Sequence, residues 1–193
     1  LFLGCLAIVS CFQFGTVASI SETGDMLIEI PEKLYLASLL IGLAAVVDFL
    51  DGYVARLMNV PSEMGKQLDS LADMVTSGVV PGLVMYKMLG DIQENQSQYN
   101  LTEDTYYMGV VPYLGFLITL ASCYRLAKFN VDTRQTDSFI GLPTPANALF
   151  ILSLPLVLKY SDSIIILELL TNHWLLMVIT LFSAYILNAE IPL

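Results

Sequence analysis

Four aspartates, Asp48, Asp51, Asp69 and Asp73, lie among apolar residues at spacings that pair their carboxylates. On an α-helix of 3.6 residues per turn, Asp48 and Asp51 are i,i+3 and Asp69 and Asp73 are i,i+4, so each pair shares a face. The runs around them, Leu34 to Val47 and Met74 to Met85, are apolar enough to lie in a bilayer. A charged side chain at the centre of a membrane helix costs roughly 2.5–3.5 kcal/mol, or on the order of 10–14 kcal/mol for four, and less near a helix end. Divalent cations with oxygen ligands can offset that cost. The chemistry these residues suggest is that of a metal site in a membrane.

The residues next to the acids suit an anionic ligand. Gly52 is i+4 from Asp48 and Ala55 is i+4 from Asp51, a small-residue stripe where a bulky polyanion could reach the backbone. Arg56 follows one turn further on, suited to bidentate contact with a phosphate. Ser62 and Lys66 add a hydroxyl and a second cation. The connector with Pro61 and Gly65 lets the two acidic helices run antiparallel. Two other readings of buried acids stand beside this one. They could pair with Arg56 and Lys66 simply to fix helix packing, or serve the ion relay of a cation-coupled transporter.

The elements that must position these residues follow from hydropathy. With 56% hydrophobic and 13% charged residues, the chain departs from soluble domains, in which about 25% of residues are charged. Its mean hydropathy is +0.70. Six stretches approach the roughly 17–25 residues a span needs: 1–20, 34–58, 67–89, 106–127, 144–160 and 173–189. Short connectors join them. The expected fold is all-α, a polytopic bundle of about six transmembrane helices forming one domain over residues 1–193. The chain opens without Met inside an apolar run and stops abruptly, so it is expected to begin and end inside a longer protein.

Net charge is −10, and its distribution matters more than its size. Connectors 21–33, 90–105 and 161–172 carry most of the acids, with only Lys33, Lys87 and Lys159 nearby. Arg56, Lys66, Arg125, Lys128 and Arg134 belong to the other connectors and their helix ends. Because Lys and Arg collect on the cytoplasmic side, connectors 57–66 and 128–142 are expected to face the cytoplasm. The acidic balance argues against nucleic acid as a partner. Cys5, Cys11 and Cys123 lie in apolar runs and read as small buried hydrophobes. With one histidine, His173, and no Cys/His spacing, zinc and Ser-His-Asp chemistry are excluded.

The string Asp51-Gly52-x2-Ala55-Arg56-x8-Gly65-x3-Asp69-x3-Asp73, with Asp48 ahead of it, resembles the signature of the CDP-alcohol phosphotransferases. The resemblance implies a six-helix membrane enzyme, commonly a homodimer, that uses an alcohol to displace CMP from a CDP-linked lipid with two divalent cations, Mg²⁺ or Mn²⁺. It also implies roles. Asp48 and Asp69 would bridge the two ions, Asp51 would bind the first, and Asp73 would touch the second and accept the proton. Gly52, Arg56 and Ser62 would contact the CDP group of CDP-diacylglycerol, with Ala55 and Gly65 allowing close approach. The family's Pro-Asn…Thr segment, just upstream of its first membrane helix, would lie before residue 1.

Three further strings resemble the bacterial, serine-accepting membrane branch of that family: Met74 to Gly82, Arg125-Leu-Ala-Lys128-Phe-Asn130 and Phe139 to Pro145, with some likeness also in Leu1 to Val9. The implied reaction joins the phosphatidyl group of CDP-diacylglycerol to L-serine, giving phosphatidylserine and CMP. It would take place in the inner cell membrane with the site open to the cytoplasm. Arg125 and Lys128 could hold the serine carboxylate, with Asn130 as a further polar contact; as positive-inside anchors they would instead snorkel to the interface. Glycerol 3-phosphate or an inositol phosphate is the alternative acceptor, and would call for a denser basic cluster.

Overall fold

The computed structural model describes residues 1–12, 33–57, 63–97, 109–131 and 141–189, without the side chains of 55, 56, 63, 66, 91–97 and 131. All regular structure among the described residues is helical. In chain order the helices are α1 (Phe2–Phe12), α2 (Leu34–Leu57), α3 (Glu63–Asp73), a π-helical turn (Met74–Val79), α4 (Val80–Ser97), a 3-10 turn (Val111–Gly115), α5 (Phe116–Val131), α6 (Thr144–Tyr160), α7 (Ile164–Leu170) and α8 (His173–Asn188).

The all-helical expectation holds among the described residues, and their helix lengths alone do not establish six spans. Among the described residues, two stretches are long and apolar enough to cross a membrane: Leu34–Val54, with 21 residues, and Gln67–Gly90, with 24. The pair α7 and α8, bent by 63° at its break, makes a third if taken as one span. At 1.5 Å per residue, the 17 residues of α6 reach about 26 Å, short of a hydrocarbon core about 30 Å thick. Only 11 residues of the first expected stretch are described as helix.

Two boundaries differ from the hydropathy reading. Of the stretch expected from 106, residues 106–108 lie outside the described residues, and a 3-10 turn in which Pro112 and Gly115 lie precedes the α-helix that begins at Phe116. The segment 161–172, read as a connector, contains α7, whose Ile164-Ile-Ile-Leu-Glu-Leu-Leu170 run is apolar enough to form two turns of helix. Asn172 then opens α8 as a cap, its Oδ1 accepting from the backbone N–H of Trp174 at 2.9 Å and of Leu175 at 3.3 Å.

Helix α4 is the centre of the bundle. Val80, Val84, Met85 and Leu89 are fully buried, and Leu83 and Met88 nearly so. It packs against α1, α5, α6, α8 and the 3-10 turn. One close crossing is made by glycine: a Cβ on Gly115 would lie 2.5 Å from the backbone N of Tyr86 and 2.7 Å from the Gly82 carbonyl oxygen. Small residues at such crossings are how helices gain contact where lipid weakens the hydrophobic drive. Large apolar side chains also cover much of the outside of the described helices, with Leu39, Leu43, Val46, Phe49, Val178 and Phe182 all exposed. A surface of this kind suits hydrocarbon rather than water.

Buried hydroxyls are mostly satisfied within their own helices. Ser10 donates to the Leu6 carbonyl at 2.9 Å, Thr76 to Ala72 at 3.1 Å and Thr180 to Leu176 at 2.7 Å. One buried pair joins two helices: Ser183 of α8 donates to Asn147 Oδ1 of α6 at 2.6 Å.

Candidate active site

Three of the four aspartates converge. Asp48 and Asp51, near the end of α2, and Asp69 of α3 each offer a carboxylate oxygen, and the three oxygens lie within 4.8 Å of one another. The α2 face is set by its i,i+3 spacing, and Asp69 is carried by a polar helix that leads into the buried α4. Asp48 is half-buried, while Asp51 and Asp69 are exposed. Three like charges at this range repel, and a hard cation is the group that resolves the repulsion. Oxygens on one Mg²⁺ at about 2.0–2.1 Å stand at most ~4.2 Å apart, and on a Ca²⁺-sized ion slightly more. Small side-chain rotations bring the three oxygens to that spacing, so these residues fit a divalent ion.

Asp73 stands outside that group of three, one turn after Asp69 at the end of α3. It is half-buried and near enough to Asp48, Asp69 and Asp51 to feel the charge of each. Asp73 thus lies beside the three converging carboxylates rather than among them. Next to the acids, a Cβ built on Gly52 would meet nothing within 4 Å. Gly52 is therefore not a helix-packing glycine, and it leaves open space on the acidic face. Gly65 is exposed on α3. Ala55 and Arg56 lie on α2 without described side chains, and Ser62, Pro61 and Arg134 fall outside the described residues.

The basic segment of α5 divides. Asn130 reaches the acidic helix: its Nδ2 donates to Ser70 Oγ at 3.2 Å, and in the alternative hydroxyl orientation Ser70 donates to Asn130 Oδ1 at the same distance. Ser70 follows Asp69 directly, so this bond ties the end of α5 to the carboxylate site. Arg125 joins helices instead. Its Nη1 donates to the Leu187 carbonyl of α8 at 2.7 Å and its Nη2 to the Gly141 carbonyl ahead of α6 at 3.2 Å. Gly141 takes a φ of +76°, and a Cβ there would lie 2.7 Å from the Ala189 carbonyl oxygen and 2.8 Å from Arg125 Nη1. Lys128, half-buried, lies between the two along α5.

Two residues that bear on the site escaped the sequence reading. Ser70 was hidden among the acids, though a hydroxyl adjacent to a ligand position is a plain signal. Thr119 of α5, which donates to the Gly78 carbonyl at 3.1 Å, gave no signal, because only the folded packing brings the two together.

Comparison with known proteins decides the family. A sequence model described as CDP-alcohol phosphatidyltransferase matches residues 2–186, nearly the whole chain. The chain belongs to the CDP-alcohol phosphatidyltransferase family. Its curated relatives include the CDP-diacylglycerol–serine O-phosphatidyltransferase of Bacillus subtilis (strain 168), 37% identical over 103 residues, which is 51% of this chain and 48% of the relative. The enzyme of the same name in Saccharomyces cerevisiae (strain ATCC 204508 / S288c) is 34% identical over 162 residues, 79% of this chain and 49% of the relative. An archaetidylserine synthase of Methanothermobacter thermautotrophicus is 34% identical over 140 residues, 72% of this chain and 54% of the relative. The chain thus spans about half the length of the curated relatives it matches. Membership of the CDP-alcohol phosphatidyltransferase family accords with acids converging at the end of an apolar helix.

Proposed function

We propose that this chain is the catalytic membrane domain of a CDP-diacylglycerol–serine O-phosphatidyltransferase. The observation that carries the reading is the convergence of Asp48, Asp51 and Asp69, with Asp73 beside them, in a chain of this family. The relatives' names support serine as the acceptor: they change the lipid from phosphatidyl to archaetidyl and keep the serine.

Asp48, Asp51, Asp69 and Asp73 would hold two divalent ions, which when bound neutralise the diphosphate and stabilise the departing CMP. The chain's own residues do the rest. Gly52 leaves room for the diphosphate against α2, and Arg56 and Ser62 bind the CDP group, with Ala55 and Gly65 giving close approach. Lys128 and Arg125 attract the serine carboxylate, and Asn130 orients the amino acid beside Ser70. The serine hydroxyl oxygen then bonds to the phosphorus of the phosphatidyl group, the bond from that phosphorus to the CMP oxygen breaks, and CMP leaves with the electron pair. Asp73 takes the hydroxyl proton. It acts as the proton is released in the transition state, the setting for general-base catalysis.

The wider arrangement is part of the same proposal. Six spans are reached by counting α1, α2, α3 with α4, α5, α6, and α7 with α8. The site faces the cytoplasm because five of the eight Lys and Arg residues belong to its side. The protein is an inner-membrane homodimer embedded in the lipid bilayer. The test is to supply purified full-length protein with CDP-diacylglycerol, Mn²⁺ or Mg²⁺, and serine, glycerol 3-phosphate or inositol phosphate in turn. Phosphatidylserine as the main product supports the assignment, and preference for a phosphorylated alcohol overturns it.

A further inference from the structure

The turn that follows Asp73 is not α-helical. The backbone N–H of Val80 bonds the Val75 carbonyl, five residues back, and the π geometry runs from Met74 to Val79. Such turns are rare, are mostly single-turn insertions within α-helices and cluster at functional sites. Pro81 supplies a local cause. It has no N–H to give the Ser77 carbonyl, and in an unbroken α-helix its ring would crowd that oxygen. The turn is also held from outside: Thr119 Oγ1 of α5 donates to the Gly78 carbonyl at 3.1 Å, and Thr119 packs so closely on Gly82 that a Cβ there would collide with its hydroxyl.

The consequence is rotational. In an unbroken α-helix, Val80 and Val84 are i+7 and i+11 from Asp73 and share its face. Both valines are fully buried in the core around α4, so the acids would turn to the apolar interior as well. One additional residue in a turn rotates the helix on its N-terminal side by about 100° relative to the helix on its C-terminal side. We propose that the π turn is the positioning device of the carboxylate site: it turns Asp69 and Asp73 off the face that α4 buries and toward Asp48 and Asp51, and Thr119 is the positioning residue that holds it.

The test uses the full-length protein with Pro81→Ala and Thr119→Val combined, which removes the local cause of the turn and its outside hold at an unchanged residue count. It has two readouts. Mn²⁺ affinity, followed by electron paramagnetic resonance, should fall about 10–100-fold, as when a group supporting metal ligands is lost. Disulfide trapping between Asp48→Cys and Asp69→Cys, with Cys5, Cys11 and Cys123 changed to Ala, should be efficient with the turn intact and lost without it. Deleting Val75 from the combined variant should restore both, because the α-helical steps that remain between Asp73 and Val80 turn through the same angle as the longer stretch with its π turn. The second readout needs no metal. Failure of the parent to bind Mn²⁺ would therefore sink the metal reading, while loss of trapping in the combined variant would still support the turn. Should the combined variant not fold, Thr119→Val alone decides the matter: it should weaken trapping and Mn²⁺ binding several-fold, with Thr119→Ser restoring both. Trapping within about twofold of the parent in the combined variant, or in Thr119→Val where that one is used, overturns the proposal.

Discussion

Asn130, at the end of α5, and Ser70, the residue after Asp69, are hydrogen-bonded at 3.2 Å although they stand 60 residues apart in sequence. The bond places the segment proposed to hold the acceptor against the helix proposed to activate it. An exposed bond of this kind contributes about 0.5–1.5 kcal/mol. Asn130→Ala should therefore raise the KM for serine about 3- to 10-fold at saturating CDP-diacylglycerol, with Ser70→Ala giving a smaller rise. Initial-rate kinetics check this, and an unchanged serine KM in Asn130→Ala would remove Asn130 from the acceptor site.

Metal dependence should follow the three converging acids. Chelation with excess EDTA should abolish turnover, and Asp48→Asn or Asp69→Asn should lose metal-dependent activity even with Mn²⁺ restored. Near-normal activity in either variant would contradict the assignment of Asp48, Asp51 and Asp69 as ligands.

Arg125 and Lys128 should separate in their effects. Arg125→Ala strips donors from the Leu187 and Gly141 carbonyls, and each buried group left unpaired costs about 1–3 kcal/mol. It should lower thermal stability as well as serine affinity. Lys128→Ala should raise the serine KM with a smaller loss of stability than Arg125→Ala. Gly141→Ala should be destabilising, by more than about 1 kcal/mol, because a φ of +76° and the nearby Ala189 carbonyl oppose a side chain. Thermal unfolding in detergent, run beside serine kinetics, distinguishes these outcomes.

Topology can be read from exposed positions on opposite sides of the site. With Cys5, Cys11 and Cys123 replaced, Met64→Cys at the start of α3 should be labelled from the cytoplasmic side only, and Asp162→Cys ahead of α7 from the other side only. The reverse pattern would invert the positive-inside reading and remove the site from cytosolic serine.

The parts legible in the sequence are those fixed by local geometry. Spacing alone put Asp48 with Asp51, because residues three apart share a helix face, and hydropathy located α2 and α6 to within a residue. The features that stayed hidden depend on packing between distant segments. Pro81 could not announce an i→i+5 turn, and the bond by which Thr119 holds that turn exists only when α5 lies against α4. Arg125 read as a contact for the serine carboxylate, and its bonds between helices were not legible. Its carbonyl partners at 141 and 187 belong to segments that no local pattern brings to α5. Asp162, Ser163, Thr171 and Asn172 made the segment around α7 look like a connector, and those same polar residues bound the short helix within it.

The most direct measurement tracks both products in one reaction. Purified full-length protein, given CDP-diacylglycerol, labelled L-serine and Mn²⁺ or Mg²⁺, should release CMP and incorporate serine into lipid in equal amounts. Asp73→Asn should bind CDP-diacylglycerol still, while both products fall together by at least ~10², the scale of a lost general base. CMP release without serine incorporation, or an Asp73→Asn variant that keeps both, would contradict phosphatidyl transfer to serine at this site.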